Sequence, residues 1–380
     1  MKRKRYRLVE AYSDESGNGG NNLFDSAQPW FWTGTLVSPV DVQTRGLGVI
    51  QRMIKQLGVT DLHAKELGLG RIESVGRDLL RLLEDVEARF VFTALEKSHL
   101  ASTKLVDTVL DSGTNAAVSV LTYGFRALRI PLAHAIVENM TLNDQKDFWE
   151  IYRTRDTEKF RSILARIVER IRPRVKDART RELLEDAFAW AISYPKEVLD
   201  FKRSDEDAPN MVSFSLILSG LHEMLDGTDL RVGKFVHDSQ QQFGAFMELW
   251  YQIGRKLQAP TDAFGFMADL ERIDTYRGQF QVVRSAGVVG LKLIDIVLWL
   301  YRRSLGDSMR AYPNCADLVT FAAERGILKR FSRDQLRESA KEAIDVLSRT
   351  PDPDPRREAE VRAFLAQMEA ARLARMGGLR

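Results

Sequence analysis

The stretch Arg7-Leu8-Val9-Glu10-Ala11-Tyr12-Ser13-Asp14-Glu15-Ser16-Gly17 holds a strand-like run that ends on two carboxylates and a glycine turn. Strand ends are where open α/β sheets present ligand groups to a cleft. Two adjacent acids in such a place repel unless a cation holds them. The ordinary alternative is an Asx-type turn, in which Asp14 bonds its own backbone. Alternation along a strand sends neighbouring side chains to opposite faces, so Asp14 shares a face with Tyr12 and Glu10 while Glu15 points away.

Outward from this stretch, residues 6–37 read as a hairpin. Gly17 to Asn22 is strong loop chemistry, and the second arm, Trp30-Phe31-Trp32-Thr33-Gly34-Thr35-Leu36-Val37, is aromatic and β-branched before Pro39. A helix to about Leu57 follows, then Asp61-Leu62-His63-Ala64-Lys65-Glu66-Leu67, a helical stretch from Leu79 to Val86, and a strand from Ala88 to Leu95. Between about 98 and 227 strand signals nearly vanish and helical periodicity takes over, as in Ile163, Leu164, Ile167, Val168 and Ile171. Within it, Ser204 to Asn210 reads as a polar loop. Strand character returns at Leu230 to Val236 and runs into His237-Asp238-Ser239-Gln240 before an amphipathic helix. A last strand, Gly278 to Arg284, meets an apolar helix from Val288 to Tyr301 with Ser285 at its N-cap. Beyond Gly306 the chain reads as helical, with Pro351 to Pro355 a linker before a charged final helix.

The expected organisation is therefore an α/β core in two parts, 1–97 and 228–305, split by a helical insertion at 98–227 and followed by a helical region at 306–380. At 380 residues the length suits two or three domain-sized units. The 44% hydrophobic and 29% charged composition is that of an ordinary globular protein, and the net charge of +3 favours no partner by itself. Its distribution is uneven. Lys2, Arg3, Lys4, Arg5 and Arg7 open the chain, and Ile151 to Arg181 carries eleven Lys/Arg against four Asp/Glu. Such segregation is the footprint of a phosphate-binding surface or, more plainly, of a solvated helix face. The single cysteine, Cys315, excludes an internal disulfide and a cysteine-based zinc site. The basic start has no apolar signal-peptide stretch, and the most apolar segment, Ala286 to Tyr301, is interrupted by Lys292 and Asp295. A cytoplasmic protein with no membrane partner is expected.

Two further acids stand out. Asp238 follows a strand and precedes a helix, so it is either a ligand at a strand end or, with Ser239 as a rival and Gln241 or Gln242 completing a capping box, an N-cap. Asp295 lies between Ile294 and Ile296 in an almost wholly apolar helix, where an unpaired carboxylate is costly; Lys292 one turn earlier is the ordinary partner and a bound cation the alternative. Glu66 reads as a solvated helix residue, with His63 three positions before it. Other chemistries lack their residues. The Gly17-x-Gly19 spacing is not a dinucleotide fingerprint, no Walker lysine or Gly-x-Ser-x-Gly occurs, and His222-Glu223 lacks a second histidine. A set of hard carboxylate oxygens suits Mg²⁺ or Mn²⁺.

Asp14-Glu15-Ser16-Gly17, the Trp/Phe-rich second strand, His63 to Leu67, His237-Asp238, and Val283-Arg284-Ser285 through Leu291 to Asp295 occur in that order. Together they resemble a widespread prokaryotic family that opens with this DESG signature, a domain of unknown function similar to the ribonuclease H-like (integrase-type) superfamily. The resemblance covers roughly 6–97 and 228–303. It implies an RNase H-like mixed sheet flanked by helices, with Asp14, Glu66, Asp238 and Asp295 as catalytic metal ligands for Mg²⁺ or Mn²⁺. Leu291 to Ile294 replace a segment in which many relatives carry a Gln before the Asp. The implied activity is hydrolysis of nucleic-acid phosphodiester bonds, DNA or RNA, with Arg153, Arg155, Arg166, Arg170 and Arg174 of the basic insertion contacting phosphates. The rival expectation is a catalytically weak nucleic-acid-binding subunit of a larger complex, in anti-phage defence by analogy, with a protein partner on the insertion or the C-terminal region. A third is hydrolysis of another phosphate ester.

Overall fold

The structure, a computed structural model, describes residues 6–17, 22–199, 208–238, 243–256, 275–306, 309–349 and 355–377. Lys2 to Arg5, most of the glycine turn after Gly17, Ser204 to Asp207, Ser239 to Gln242 and Thr350 to Asp354 lie outside the described residues. The chain is α/β and divides into two compact units, one of residues 1–22, 30–95 and 204–330, the other of 23–29, 96–203 and 331–380.

The first unit is built on a six-stranded mixed sheet. It begins with β1 (Arg7–Ser16), β2 (Trp30–Ser38), α1 (Val42–Leu57), α2 (Ala64–Asp85) and β3 (Arg89–Glu96). The helices α3 (Lys97–Leu110), α4 (Val120–Gly124), α5 (Arg126–Glu138), α6 (Leu142–Thr154), α7 (Thr157–Arg174), α8 (Ala178–Ser193) and α9 (Pro195–Leu199) then belong to the second unit. The first resumes with α10 (Pro209–Leu225), β4 (Leu230–Asp238), α11 (Gly244–Lys256), β5 (Tyr276–Val283), α12 (Val289–Ser304), α13 (Pro313–Glu324) and β6 (Gly326–Phe331). The C-terminal α14 (Arg333–Arg349) and α15 (Pro355–Met376) return to the second.

Strand order is β5-β4-β1-β2-β3-β6. β1 runs antiparallel to β2 and parallel to β4, which is parallel to β5. Being interior, β1 buries both faces, and its alternation sorts them. Tyr12 joins Trp32, Leu36 and Val236 beneath α1, α2, α12 and α13, whereas Val9 and Ala11 join Val37, Val91, Val232 and Phe235 beneath α10 and α11. Helix α12 approaches the sheet closely because two glycines leave it room. A β-carbon on Gly290 would stand 2.3 Å from the Tyr12 ring, and one on Gly34 would stand 3.0 Å from Ile294 Cδ1.

The structure departs from expectation at several local points. The helix expected from Leu79 begins at Ala64, with Gly68 at φ 65° kinking it after its first turn. The N-cap position of α12 is Val288 rather than Ser285. Its first N–H, on Val289, donates to Gln43 Oε1 of α1 at 2.9 Å, while Gln43 Nε2 donates to the Gly287 carbonyl. That cap comes from 246 residues away and leaves no local signature. β6 was expected to be helical. It is a short, half-exposed edge strand carrying Lys329 and Arg330, so no burial alternation marks it. Helix α10, expected in the insertion, packs Met211, Phe214, Ile217 and Leu221 into the sheet core.

In the helical unit, α15 is held by Arg372, which is fully buried and ion-paired to Asp186 and Glu369 while donating to the Ala117 carbonyl. The helices α3 to α9 of the insertion and the C-terminal α14 and α15 thus form one body, while α10, α13 and β6 belong to the sheet unit. Among the described residues no helix is long and apolar enough to cross a membrane.

Substituting Gly290→Ala forces Tyr12 and α12 apart, and the overpacking, about 1–3 kcal/mol, exceeds any gain in helix propensity. The urea midpoint should fall. Gly70→Ala, where a β-carbon meets nothing within 4 Å, should instead raise it through about 1 kcal/mol of propensity.

Candidate active site

Asp14 is the third residue from the end of β1, opposite Gly34 of β2. Opposed residues of an antiparallel pair share a face, and the space over Gly34 is filled by Ile294 and Leu298 of α12. Asp14 therefore lies on the α12 side of the sheet. Asp238 ends β4, one step past the Ser13–His237 pairing, and alternation places it on the same face as Val236 and Tyr12. Asp295 comes down from α12 itself, so two parallel strand ends and one helix bring their acids to one region.

The electrostatics of Asp14 register that convergence. Its side chain is buried, and burial pushes its pKa well above the usual carboxylate range. The negative charge of Asp295 is the next largest cause, with Asp238 and Glu15 adding to it against one lowering hydrogen bond, from Glu15 N–H to Asp14 Oδ1 at 2.7 Å. The Asx-like bond therefore exists, and it is outweighed by the surrounding acids. Glu15 faces the other way, its Oε2 accepting from Asn210 Nδ2 of α10 at 2.8 Å.

The ordinary readings of the other two acids do not describe what the structure shows. Helix α11 starts at Gly244, so Asp238 is not its N-cap. Lys292 ion-pairs with Asp61, and its side chain is only 6% exposed. Asp295 Oδ2 instead accepts from His63 Nδ1 at 2.7 Å and from Ala64 N–H, the first of α2, at 2.9 Å. Asp295 thus caps α2 from across the fold, where the N-terminal end of the helix dipole favours a carboxylate. Burial lowers the pKa of His63, but the hydrogen bond and charge of Asp295, with Glu66 and Asp61 beyond, outweigh it and raise the imidazole. Glu66 sits exposed in the first turn of α2, at the rim, acting on His63 by charge alone among these described contacts. His237 is buried on the α10 face beside Phe214 and is held below its ordinary pKa by that burial, with Nδ1 against the Asp238 carbonyl.

Among the described residues no three His, Cys, Asp or Glu side chains are drawn closely enough together to hold a metal ion as they stand. One Asp295 oxygen is turned to α2, which accounts for part of that looseness. The donor set is nonetheless all hard oxygen, and the repulsion within it is of the kind a divalent cation relieves.

The basic candidates lie in the helical unit. Arg170 Nη2 bonds buried Asp144 at 2.5 Å and its Nε donates to the Asn139 carbonyl; Arg166 pairs with Asp147 and Asp144; Arg174 donates to Asn139 Oδ1. These three bind α7 to α6 and to the end of α5. Arg153 is exposed at the end of α6, and Arg155 closes that helix in a left-handed conformation, φ 61°. The run's surplus of positive charge is thus partly internal mortar.

A carboxylate whose folded pKa is raised binds its proton in the folded state at pH values where the unfolded chain has lost it. Stability then falls as pH climbs from the ordinary carboxylate range through the raised value. Asp14→Asn should therefore raise the melting temperature at pH 7–8, by about 2–4 °C for each kcal/mol of repulsion relieved. The gain should shrink toward zero near pH 4, measured by calorimetry across that range.

No family model, curated protein or solved structure matches the chain, and the cluster of three carboxylates is its firmest pointer to chemistry.

Proposed function

We propose that this protein is a metal-dependent nuclease with an RNase H-like core. The observation that carries the reading is the convergence of Asp14, Asp238 and Asp295 from the ends of β1 and β4 and from α12, near enough that the charges of Asp295 and Asp238 add to the elevation that burial imposes on Asp14. The sheet supports it too: a hairpin and two further strands parallel to its first arm form a stiff frame in which acids far apart in sequence meet at strand ends. Asp14, Asp238 and Asp295 would hold Mg²⁺ or Mn²⁺, with Glu66 at the rim as a fourth acid. Such cations activate a water and stabilise the leaving oxygen of a phosphodiester. His63 and Ala64 fix the rotamer of Asp295 by occupying Oδ2. On the helical unit by itself, Arg153 and Arg155 would offer phosphate contacts of the kind that fix affinity and not sequence.

A second reading draws on the same bond pair. An Asp295 committed to capping α2 suits a nucleic-acid-binding subunit of a larger complex, such as a defence assembly, with little turnover of its own.

Asp14→Asn and Asp238→Asn should each lower Mg²⁺- or Mn²⁺-dependent cleavage of labelled DNA or RNA at least a hundredfold while the far-ultraviolet circular dichroism is kept. EDTA should abolish the wild-type activity. Mn²⁺ should raise the wild-type melting temperature and leave that of Asp14→Asn unmoved. Cleavage that survives both substitutions would sink the nuclease reading. Tight binding without turnover in any metal would favour the second.

A further inference from the structure

Alternation along β2 places Trp30, Trp32 and Gly34 on the α12 face, the face of Asp14. Gly34 stands opposite Asp14, and Trp32 stands opposite Ser16, about 7 Å further along the strand. Trp32 is anchored in the core and 8% exposed. Trp30, one step further out, is 36% exposed, and its ring centre lies 6.4 Å from that of Trp32 at a 44° tilt. The outer indole is therefore seated on the inner one and keeps part of its surface open to solvent.

Helix α12 brings a cation to the end of β1, opposite Trp32. Arg302 follows Asp295 by seven residues, two turns along one helix face. It is exposed, and its Nη1 donates to Ser16 Oγ at 2.7 Å. Arg303 lies over the Trp299 ring at 5.4 Å. Acids, a guanidinium held by a serine of the DESG turn, and an indole with a supporting indole thus follow one another outward from Asp14.

The geometry points to a subsite for single-stranded nucleic acid, in which Trp30 stacks one unpaired base and Arg302 grips the adjoining phosphate. This inference rests on the nuclease reading for the direction in which the strand runs, past the ledge toward Asp14. Every base has a face to offer an aromatic ring, so such a platform is tolerant of sequence. In a duplex that face is covered by the neighbouring pair and is released only by unstacking. The guanidinium matches a phosphate in planar, forked geometry, and its bond to Ser16 fixes its position before the strand arrives. A lone exposed tryptophan would be ordinary surface. A tryptophan braced by a second one, beside an arginine oriented by the residue two places from Asp14, is a built arrangement.

The test is fluorescence anisotropy of the full chain with labelled oligo-dT, oligo-U and a duplex of equal length, in EDTA so that cleavage plays no part. Wild type should bind one or both single strands at least tenfold more tightly than duplex. Trp30→Ala should weaken single-strand binding about tenfold or more, the worth of one stacked base, and Trp30→Phe should restore most of it. Arg302→Gln should reduce the slope of log affinity against log salt by about 0.7, one phosphate contact on a single strand. Which oligonucleotide binds assigns the sugar. Equal affinity for duplex, or a folded Trp30→Ala protein that binds like wild type, overturns the subsite even if cleavage is present. Binding as described with no cleavage in Mg²⁺ or Mn²⁺ overturns the nuclease reading and leaves the subsite standing.

Discussion

Tyr12 lies under Gly290 with no room for a β-carbon between them, and Gly34, two residues before Leu36 and opposite Asp14, clears the same helix. These contacts set how near α12 comes to β1, and so how near Asp295 comes to Asp14. A helix held further off by ordinary side chains would still bury its apolar face, but its carboxylate would be distant from the sheet. Close packing here forces like charges together. The molecule offsets the strain locally: Asp295 is neutralised in part by His63 and the N-terminus of α2, and Lys292 by Asp61. Asp14, buried beneath them, has its pKa raised first by that burial and then by the charge of Asp295.

The segment 61–64 is the counterpart of α12 in this arrangement. Asp61, His63 and the Ala64 N–H all engage α12, so the start of α2 is held by polar contacts and its remainder, after the kink at Gly68, by Ile72, Val75, Leu79, Leu82 and Leu83 in the core. The two acids of the DESG turn are divided in the same spirit. Asp14 answers to α12, whereas Glu15 ties β1 to α10 through Asn210, next to the buried hydroxyls of Thr33, Thr93 and Ser213.

Much of this was legible in the sequence, and the exceptions share a cause. The hairpin, β3, β4, β5 and α12 follow from alternation, turn chemistry and an apolar run, which are local properties. The opposite facing of Asp14 and Glu15 follows from the two-residue period alone. What escaped depends on partners remote in sequence: Gln43 capping α12, Asp61 in place of Asp295 as the partner of Lys292, Asp295 capping α2, and Asp144 and Asn139 occupying Arg166, Arg170 and Arg174. Side chains that complete a distant helix end carry no periodicity. The ledge of Trp30 and Arg302 was present as an aromatic strand and a basic helix end, but its meaning needed the register that sets Ser16 against Trp32.

The position of β1 in the sheet also governs when these groups can meet. Its antiparallel partner is the next strand in the chain, reached through the thirteen residues 17–29, whereas its parallel partner β4 begins more than two hundred residues later and follows the whole helical insertion. The loop-closure entropy of that second pairing must be overcome before its contacts reward it. During synthesis the hairpin has its partners early, while Asp14 lacks Asp238 until β4 has been made and Asp295 until the chain is complete through α12. The cluster of acids is thus a late event in folding, and a nascent or truncated chain carries the DESG turn as an ordinary hairpin end.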